Sequence, residues 1–395
     1  MTQTDQQNVP KLRFPGFEGE WAERHLSDFC EIISGHPVAG DDILKEETEI
    51  PLLRGVNITE GRIRHSEDID RYLGASTKGL ERFFVEAGDV VLGMDGSKVG
   101  KNVAIVDKSN AGAFLIQRVA RMRATKPNIL DFAYHLIFST RFHRYVDRIN
   151  TSSGIPHISL KQIRDFEIKS PNPDEQRKIA GFLGAVDTKI AQLAEKKRLL
   201  EDYKKGCMQQ LFSQKIRFKD DTDNDFPDWD TDAVKSLFSS EASRPYQILT
   251  SEIQETGRVP VVDQGKERVR GFSDKVEIAF RASQKPVIVF GDHTTELKFI
   301  DFDFVVGADG TKLLSPRKGI TRFFYYALCL NNVEQEGYKR HFSILKSVKL
   351  PVPHPDEQRK IADFLSALDH KIDLVGQELD HARSFKQGLL QQMFV

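Results

Sequence analysis

"PDEQRKIAGFLGAVDTKIAQLAEKKRLLEDYKKGCMQQLF" occupies residues 173–212, and "PDEQRKIADFLSALDHKIDLVGQELDHARSFKQGLLQQMF" occupies 355–394. The two align without a gap, 182 residues apart, and 19 of the 40 positions are identical. The chain is therefore an internal duplication, and a repeat governs every later statement about fold. Each copy reads as a long helix. Asn172 stands at the cap and Pro173 at the first helical position; Asp174 and Glu175 follow, facing the positive end of the dipole. The second copy has His354, a weaker cap, before an unchanged Pro355, Asp356 and Glu357.

Apolar residues recur at alternating spacings of three and four. They are Ile179, Leu183, Val186, Ile190, Leu193 and Leu200, then Ile361, Leu365, Leu368, Ile372, Val375, Leu379, Ala382, Leu389 and Met393. This is a coiled-coil seam, broken by Lys197 where the second copy has Leu379. Forty residues at about 1.5 Å each make a rod of roughly 60 Å. Neither helix hides its stripe alone, and each is the expected partner of the other.

A second duplication precedes each globular region. "KLRFPGFEGEWAERHLSDF" (11–29) is echoed by "KIRFKDDTDNDFPDWDTDAVKSLF" (215–238), with Trp21 and Trp229 in corresponding places. The order lead-in, globular region, proline, long helix thus occurs twice, and the organisation is circular with pseudo-twofold symmetry. The globular regions, about 30–170 and 238–353, resemble each other only faintly. "GDVVLGMDG" (88–96), "NVAIV" (102–106), "KPVIVFGD" (285–292) and "FDFVVGADG" (302–310) read as strands and turns. One aromatic-rich helix is expected in each region, over 130–149 and 321–332, and a short strand enters each proline. The expected fold is α+β: two globular α/β domains joined by two long antiparallel coiled-coil helices. Residues 1–170 form the first domain, 171–213 the first spacer helix, 214–353 the second domain and 354–395 the second helix.

Hydrophobic residues make up 39% and charged residues 29%, an ordinary balance for a globular chain. The polar N-terminus, "MTQTDQQNVPKLRF", lacks the pattern of a secretion signal, and no apolar run spans a membrane. Cys30, Cys207 and Cys329 fit no zinc or disulfide spacing; buried thiols in a reducing cytoplasm are expected. Net charge is only −1, but its distribution is uneven. Residues 98–169 hold 13 Lys and Arg against 5 Asp and Glu, and residues 310–350 hold 8 against 2. Between them, 220–232 carry seven aspartates. Two matched basic zones point to a polyanion.

No catalytic site emerges. "GMDGSKVGK" (93–101) has Asp95 where a phosphate loop needs glycine and Asn102 where it needs Ser or Thr. Asp-Gly-Ser/Thr-Lys, at 95–98 and 309–312, is a turn signal whose lysines can still face a polyanion. There is no Gly-x-Gly-x-x-Gly after a strand and no Asn/Asp-Pro-Pro-Tyr/Phe motif. His135 and His143 have no third ligand in view and read as core or surface residues. The expectation is a binding protein with no catalytic and no metal-binding residues.

Two diverged regions, each followed by a helix opening "PDEQRKIA", resemble the specificity subunit of type I restriction-modification systems. The resemblance runs from about Leu12 to Phe394 and is most specific at "PNPDEQRKIA" (171–180) and "PHPDEQRKIA" (353–362). It implies that each globular region reads one half of an asymmetric split DNA target, with the helix pair setting the spacing. It implies two methyltransferase subunits docked on the helices and a separate restriction motor-nuclease. The chain would need no cofactor; S-adenosylmethionine belongs to the methyltransferase, ATP and Mg to the restriction subunit. Candidate DNA contacts in the first region are Lys98, Lys101, Arg118, Arg121, Arg123, Arg141, Arg144 and Arg148. To these the polar loop "TSSGIPHIS" (151–159) adds His157. In the second region they are Lys312, Arg317, Lys318, Lys339, Arg340 and His341. Candidate partner contacts are Glu175, Gln176, Arg177 and Lys178, with Glu357, Gln358, Arg359 and Lys360, repeated although the seam does not need them. A coiled-coil scaffold without DNA readout, and a stand-alone nuclease or methyltransferase, are the rival readings.

Overall fold

The computed structural model describes residues 8–125, 130–150, 155–337 and 339–395. Two compact units divide it, residues 1–194 with 377–395 (unit one) and residues 195–376 (unit two). The long helices, Pro173–Phe212 and Pro355–Met393, coincide with the repeated sequence. Each unit holds the start of one and the end of the other. In unit one, Ile179 and Leu183 share a core with Leu389 and Met393. In unit two, Ile361 and Leu365 share a core with Met208 and Leu211. A helix start packed on a helix end is antiparallel pairing, and it covers the stripe that neither helix hides alone. The break at Lys197 is absorbed by a glycine: its Cε lies 3.8 Å from where Gly376 would carry a Cβ.

Identical positions of the repeat also tie the helices electrostatically. Lys386 Nζ lies 2.6 Å from Asp187 in unit one, and Lys204 pairs with Asp369 in unit two. Each aspartate faces one residue of the aromatic-rich helix. Tyr326 Oη donates to Asp369 at 2.6 Å, whereas His135 Nδ1 stands 3.7 Å from Asp187. His135 is buried, and burial first, then the charge of Lys386, pushes its pKa down to about 3.

The globular parts share one topology that their sequences conceal. In unit one the antiparallel order is Cys30–Ser34, Val119–Ala124, Val90–Gly93, Val103–Ile105. In unit two it is Phe238–Glu241, Thr311–Pro316, Val287–Gly291, Leu297–Ile300. The central strands are buried on both faces, so they read as continuous apolar runs. Val90 and Leu92 face the helices while Val91 faces a second β layer. Ile288 and Phe290 repeat the first role and Val287 and Val289 the second. The period of two along a strand puts successive side chains into different cores. Each second layer contains a parallel pair, Leu52–Leu53 with Phe114–Leu115 and Val261–Val262 with Val305–Val306.

The lead-in segments close each unit. Ala22–His25 pairs antiparallel with Glu167–Ser170, and Asp230–Ala233 with Lys349–Val352, the strands that enter the long helices. Arg13 clasps Glu175 through two bonds of 2.7 Å, and Arg217 clasps Glu357 at 3.1 and 2.8 Å. Leu12 N–H donates to Gln392 O and Ile216 N–H to Gln210 O, the same bond in both halves of the repeat. The circular organisation is therefore built from identical contacts.

Three expectations change. The region 130–149 is two helices, Leu130–Ile137 and Thr140–Ile149, because Ser139 takes an extended cap conformation between them. Only Cys30 is buried; Cys207 is half-buried and Cys329 exposed. Glu175 and Glu357 have no exposed surface, and Gln176 and Gln358 are buried, so these four do not form a docking surface. The carboxylates hold the lead-in arginines, and the amides donate to Pro171 O and Pro353 O, at 2.8 and 2.9 Å.

Two outcomes follow for stability. Arg13→Ala strands a buried carboxylate and should cost unit one about 3–5 kcal/mol. Arg217→Ala should cost less, because Trp229 Nε1 still donates to Glu357 at 2.8 Å. Each unit contains one of the two tryptophans, so fluorescence-detected urea unfolding in Trp229→Phe and Trp21→Phe backgrounds reads unit one and unit two separately. For His135, the unfolded chain binds a proton near pH 6.5 that the folded chain refuses until about pH 3. Unit one should therefore lose about 1.4 kcal/mol per pH unit on acidification within that window, beginning below the unfolded value. His135→Tyr, the residue unit two uses, should remove about 2 kcal/mol of the difference between pH 7 and pH 5.

Candidate functional site

At one end of each central sheet three segments are stitched together. In unit one, Met94 N–H donates to Arg118 O at 2.9 Å and Ile158 N–H donates to Met94 O at 2.8 Å. Gly96 N–H adds a bond to Pro156 O at 3.0 Å. The turn Asp95–Lys98, the corner at Arg118 and the segment around His157 are thereby neighbours. The turn and the Arg118 corner border an open groove of about 400 Å³ whose lining includes Arg54, Val56, Asp95, Lys98, Asn102 and Arg118. Three cations face one carboxylate there. Lys98 Nζ lies 3.5 Å from Glu60, and Arg118 Nε lies 3.8 Å from Asp95; both side chains are more than half exposed. Burial and then the charge of Arg71 lower the pKa of Arg54. Lys101, Arg144, Arg148 and His157 are exposed. Residues 151–154 of the polar loop lie outside the described residues.

The other basic candidates of unit one serve the fold. Arg121 is 1% exposed; it reaches Glu31 at 2.6 Å and donates to Arg82 O at 2.8 Å. Arg123 is forked onto Asp89 at 2.8 and 2.7 Å and reaches Glu86 at 2.6 Å. Arg141 donates to Val395 O. A count of basic residues cannot separate a charge paired across strands from one facing solvent.

Unit two repeats the junction with different groups. Asp292 N–H donates to Gly310 O, and His341 N–H donates to Asp292 O, both at 2.8 Å. Met94 thus corresponds to Asp292, Arg118 to Gly310, and Ile158 to His341. The two Asp-Gly-Ser/Thr-Lys turns are therefore not equivalent. Asp95–Lys98 follows a central strand, whereas Asp309–Lys312 enters the neighbouring one. His341 is fully buried, with Nδ1 3.1 Å from Asp292 O and Nε2 accepting from Glu336 N–H. Lys312 is half-buried, 3.7 Å from Asp292 and 5.7 Å from the Phe342 ring centre. Lys339 and Arg340 are exposed beside the junction. Arg317 and Lys318 are also exposed, but at the far end of Thr311–Pro316, beside Ile320, which donates to Gln358.

Sequence reading missed Arg54, which lies outside the basic zone. Its signal was weak: "LLRG" (52–55) ends a short strand where unit two has "VVDQG" (261–265). Of the partner candidates, Arg177, Lys178 and Arg359 are exposed and Lys360 half-buried. Arg177 pairs with Asp174, Arg359 with Asp356 at 2.9 Å and Lys360 with Asp221 at 2.7 Å. Among the described residues no group of three His, Cys, Asp or Glu is placed to hold a metal, and no helix is long and apolar enough to cross a membrane.

Comparison with known proteins places this geometry. The chain matches the family described as type I restriction modification DNA specificity domain twice, over residues 18–202 and 227–382. It is 24% identical over 324 residues to the type I restriction enzyme MjaVIII specificity subunit of Methanocaldococcus jannaschii, covering 72% of this chain and 76% of that one. It is 31% identical over 134 residues to the EcoR124I/EcoR124II specificity subunit of Escherichia coli, 32% and 33% of the two chains. The crystal structure of the type I restriction-modification S subunit from M. genitalium shares the fold. Its TM-score is 0.66 at 18% identity, over 98% of this chain and 99% of that one. With two copies of the matching domain on one duplicated helical frame, this chain belongs to the type I restriction-modification DNA specificity family and is a recognition component, not an enzyme.

Proposed function

We propose that this chain reads a two-part, asymmetric DNA target, one half through each unit, and that the paired long helices set the interval between the halves. The observation that carries this reading is the repeated junction. One backbone frame recurs in both units while the groups it displays differ, Arg118 and Lys98 against Gly310, Lys339 and Arg340. A constant frame with unlike readers suits a target whose halves are unlike. Exposed cations at the junctions would hold phosphates and set register, and a few side chains would read base edges.

The ends of the repeated motif, the exposed Arg177, Lys178 and Arg359 with the half-buried Lys360, would each receive one methyltransferase subunit, giving two per chain. That partner would bring S-adenosylmethionine and methylate an adenine in each half-site. A restriction subunit using ATP and Mg would join the same complex, in the cytoplasm.

Deleting the gene should erase one asymmetric, two-part adenine-methylation motif from the genome map of its cell; an unchanged map would sink the proposal. Arg177→Glu with Arg359→Glu should abolish co-purification of the methyltransferase. Both side chains are exposed and each pairs only within its own helix turn, so the double variant should melt as the parent does.

A further inference from the structure

Arg118 combines three properties that occur together in no other basic candidate of unit one. It is the one with positive φ, +76°, a region that strains any residue with a Cβ. The corresponding residue of unit two is Gly310, at φ +82°, which adopts the same geometry without strain. Its guanidinium is also held only loosely, 3.8 Å from Asp95, while Arg121 and Arg123 of the following strand are locked in short ion pairs. Finally, it opens onto a groove that Arg54 and Lys98 also line. A strained non-glycine where glycine would fit points to a role for the side chain.

We infer that Arg118 is the specificity-determining residue by which unit one reads a guanine in its half of the target, with Lys98 and Arg54 as phosphate-side supports. This rests on the reading of the chain as a DNA-recognition component. The guanidinium fork matches the O6 and N7 acceptors of guanine in the major groove, which a lysine meets only as a point charge. The asymmetry between units is built in. A Cβ at Gly310 would stand 2.9 Å from Gln264 Oε1 and 3.0 Å from His293 Cδ2, so neighbours already fill the place of a side chain. Unit two must read its half with groups other than an arginine at this corner.

The test compares wild type, Arg118→Gly and Arg118→Lys, each full-length and in complex with the methyltransferase subunits, by sequencing the adenines methylated across a genome. Arg118→Gly should relax one guanine of one half-site, lowering discrimination there by about 5- to 150-fold, with the other half unchanged. Arg118→Lys should relax the same position, since it keeps the charge and loses the fork. Arg118→Gly should melt no lower than wild type, since glycine occupies the equivalent corner of unit two. An unchanged motif in both variants, or an equal loss at every position, would overturn the assignment while leaving DNA recognition intact. Absence of any two-part motif with the wild-type complex would overturn the underlying reading and this inference together.

Discussion

A carboxylate without exposed surface must be matched where it lies, and Glu175 and Glu357 are matched by Arg13 and Arg217 from segments far away in the chain. That pairing decides where each lead-in segment runs. It brings a strand alongside the one that enters the long helix, and it leaves the same arginine donating to Gly19 O in unit one and Pro227 O in unit two. Left unpaired, such a buried charge would destabilise the helix start far more than an exposed ion pair contributes. The requirement is satisfied by the same two residue types in both halves. The Asp187–Lys386 and Asp369–Lys204 pairs impose a similar condition, fixing which turn of one long helix meets which turn of the other.

A frame held at those points leaves the opposite end of each sheet free to vary. Strand order and register are common to the two units, since Gly93 faces Val119 as Gly291 faces Thr311. The corner beyond that register carries Arg118 in one and Gly310 in the other. Backbone hydrogen bonds define the corner, so its side chain can change without loss of the fold. Duplication followed by divergence at such corners is a physical route from one reader to two unlike readers.

Some of this was legible in particular residues. The apolar spacing from Ile179 to Leu200 and from Ile361 to Met393 gave two helices, found at Pro173–Phe212 and Pro355–Met393. The cap at Asn172 was legible too, its Oδ1 accepting from Glu175 N–H at 3.0 Å. The continuous runs "VVLG" and "VIVFG" appeared as doubly buried strands. The break at Ser139 did not show, because the apolar periodicity continues across it. The shared topology of the units did not show either, since a buried strand accepts any well-packed apolar residue.

The candidate site was only partly legible. Basic zones were visible as counts, but Arg121, Arg123, Arg141 and His341 proved to be structural, and Arg54 was missed. By itself the sequence determined the duplication and the helix pair, because these rest on local periodicity and on identical residues at a fixed offset. Only the tertiary structure decided which charges are spent inside the fold, that the two Asp-Gly-Ser/Thr-Lys turns occupy different corners, and that Arg118 and Gly310 are counterparts. Those facts depend on which strands pair and in what register, a long-range choice that no local stretch of residues encodes.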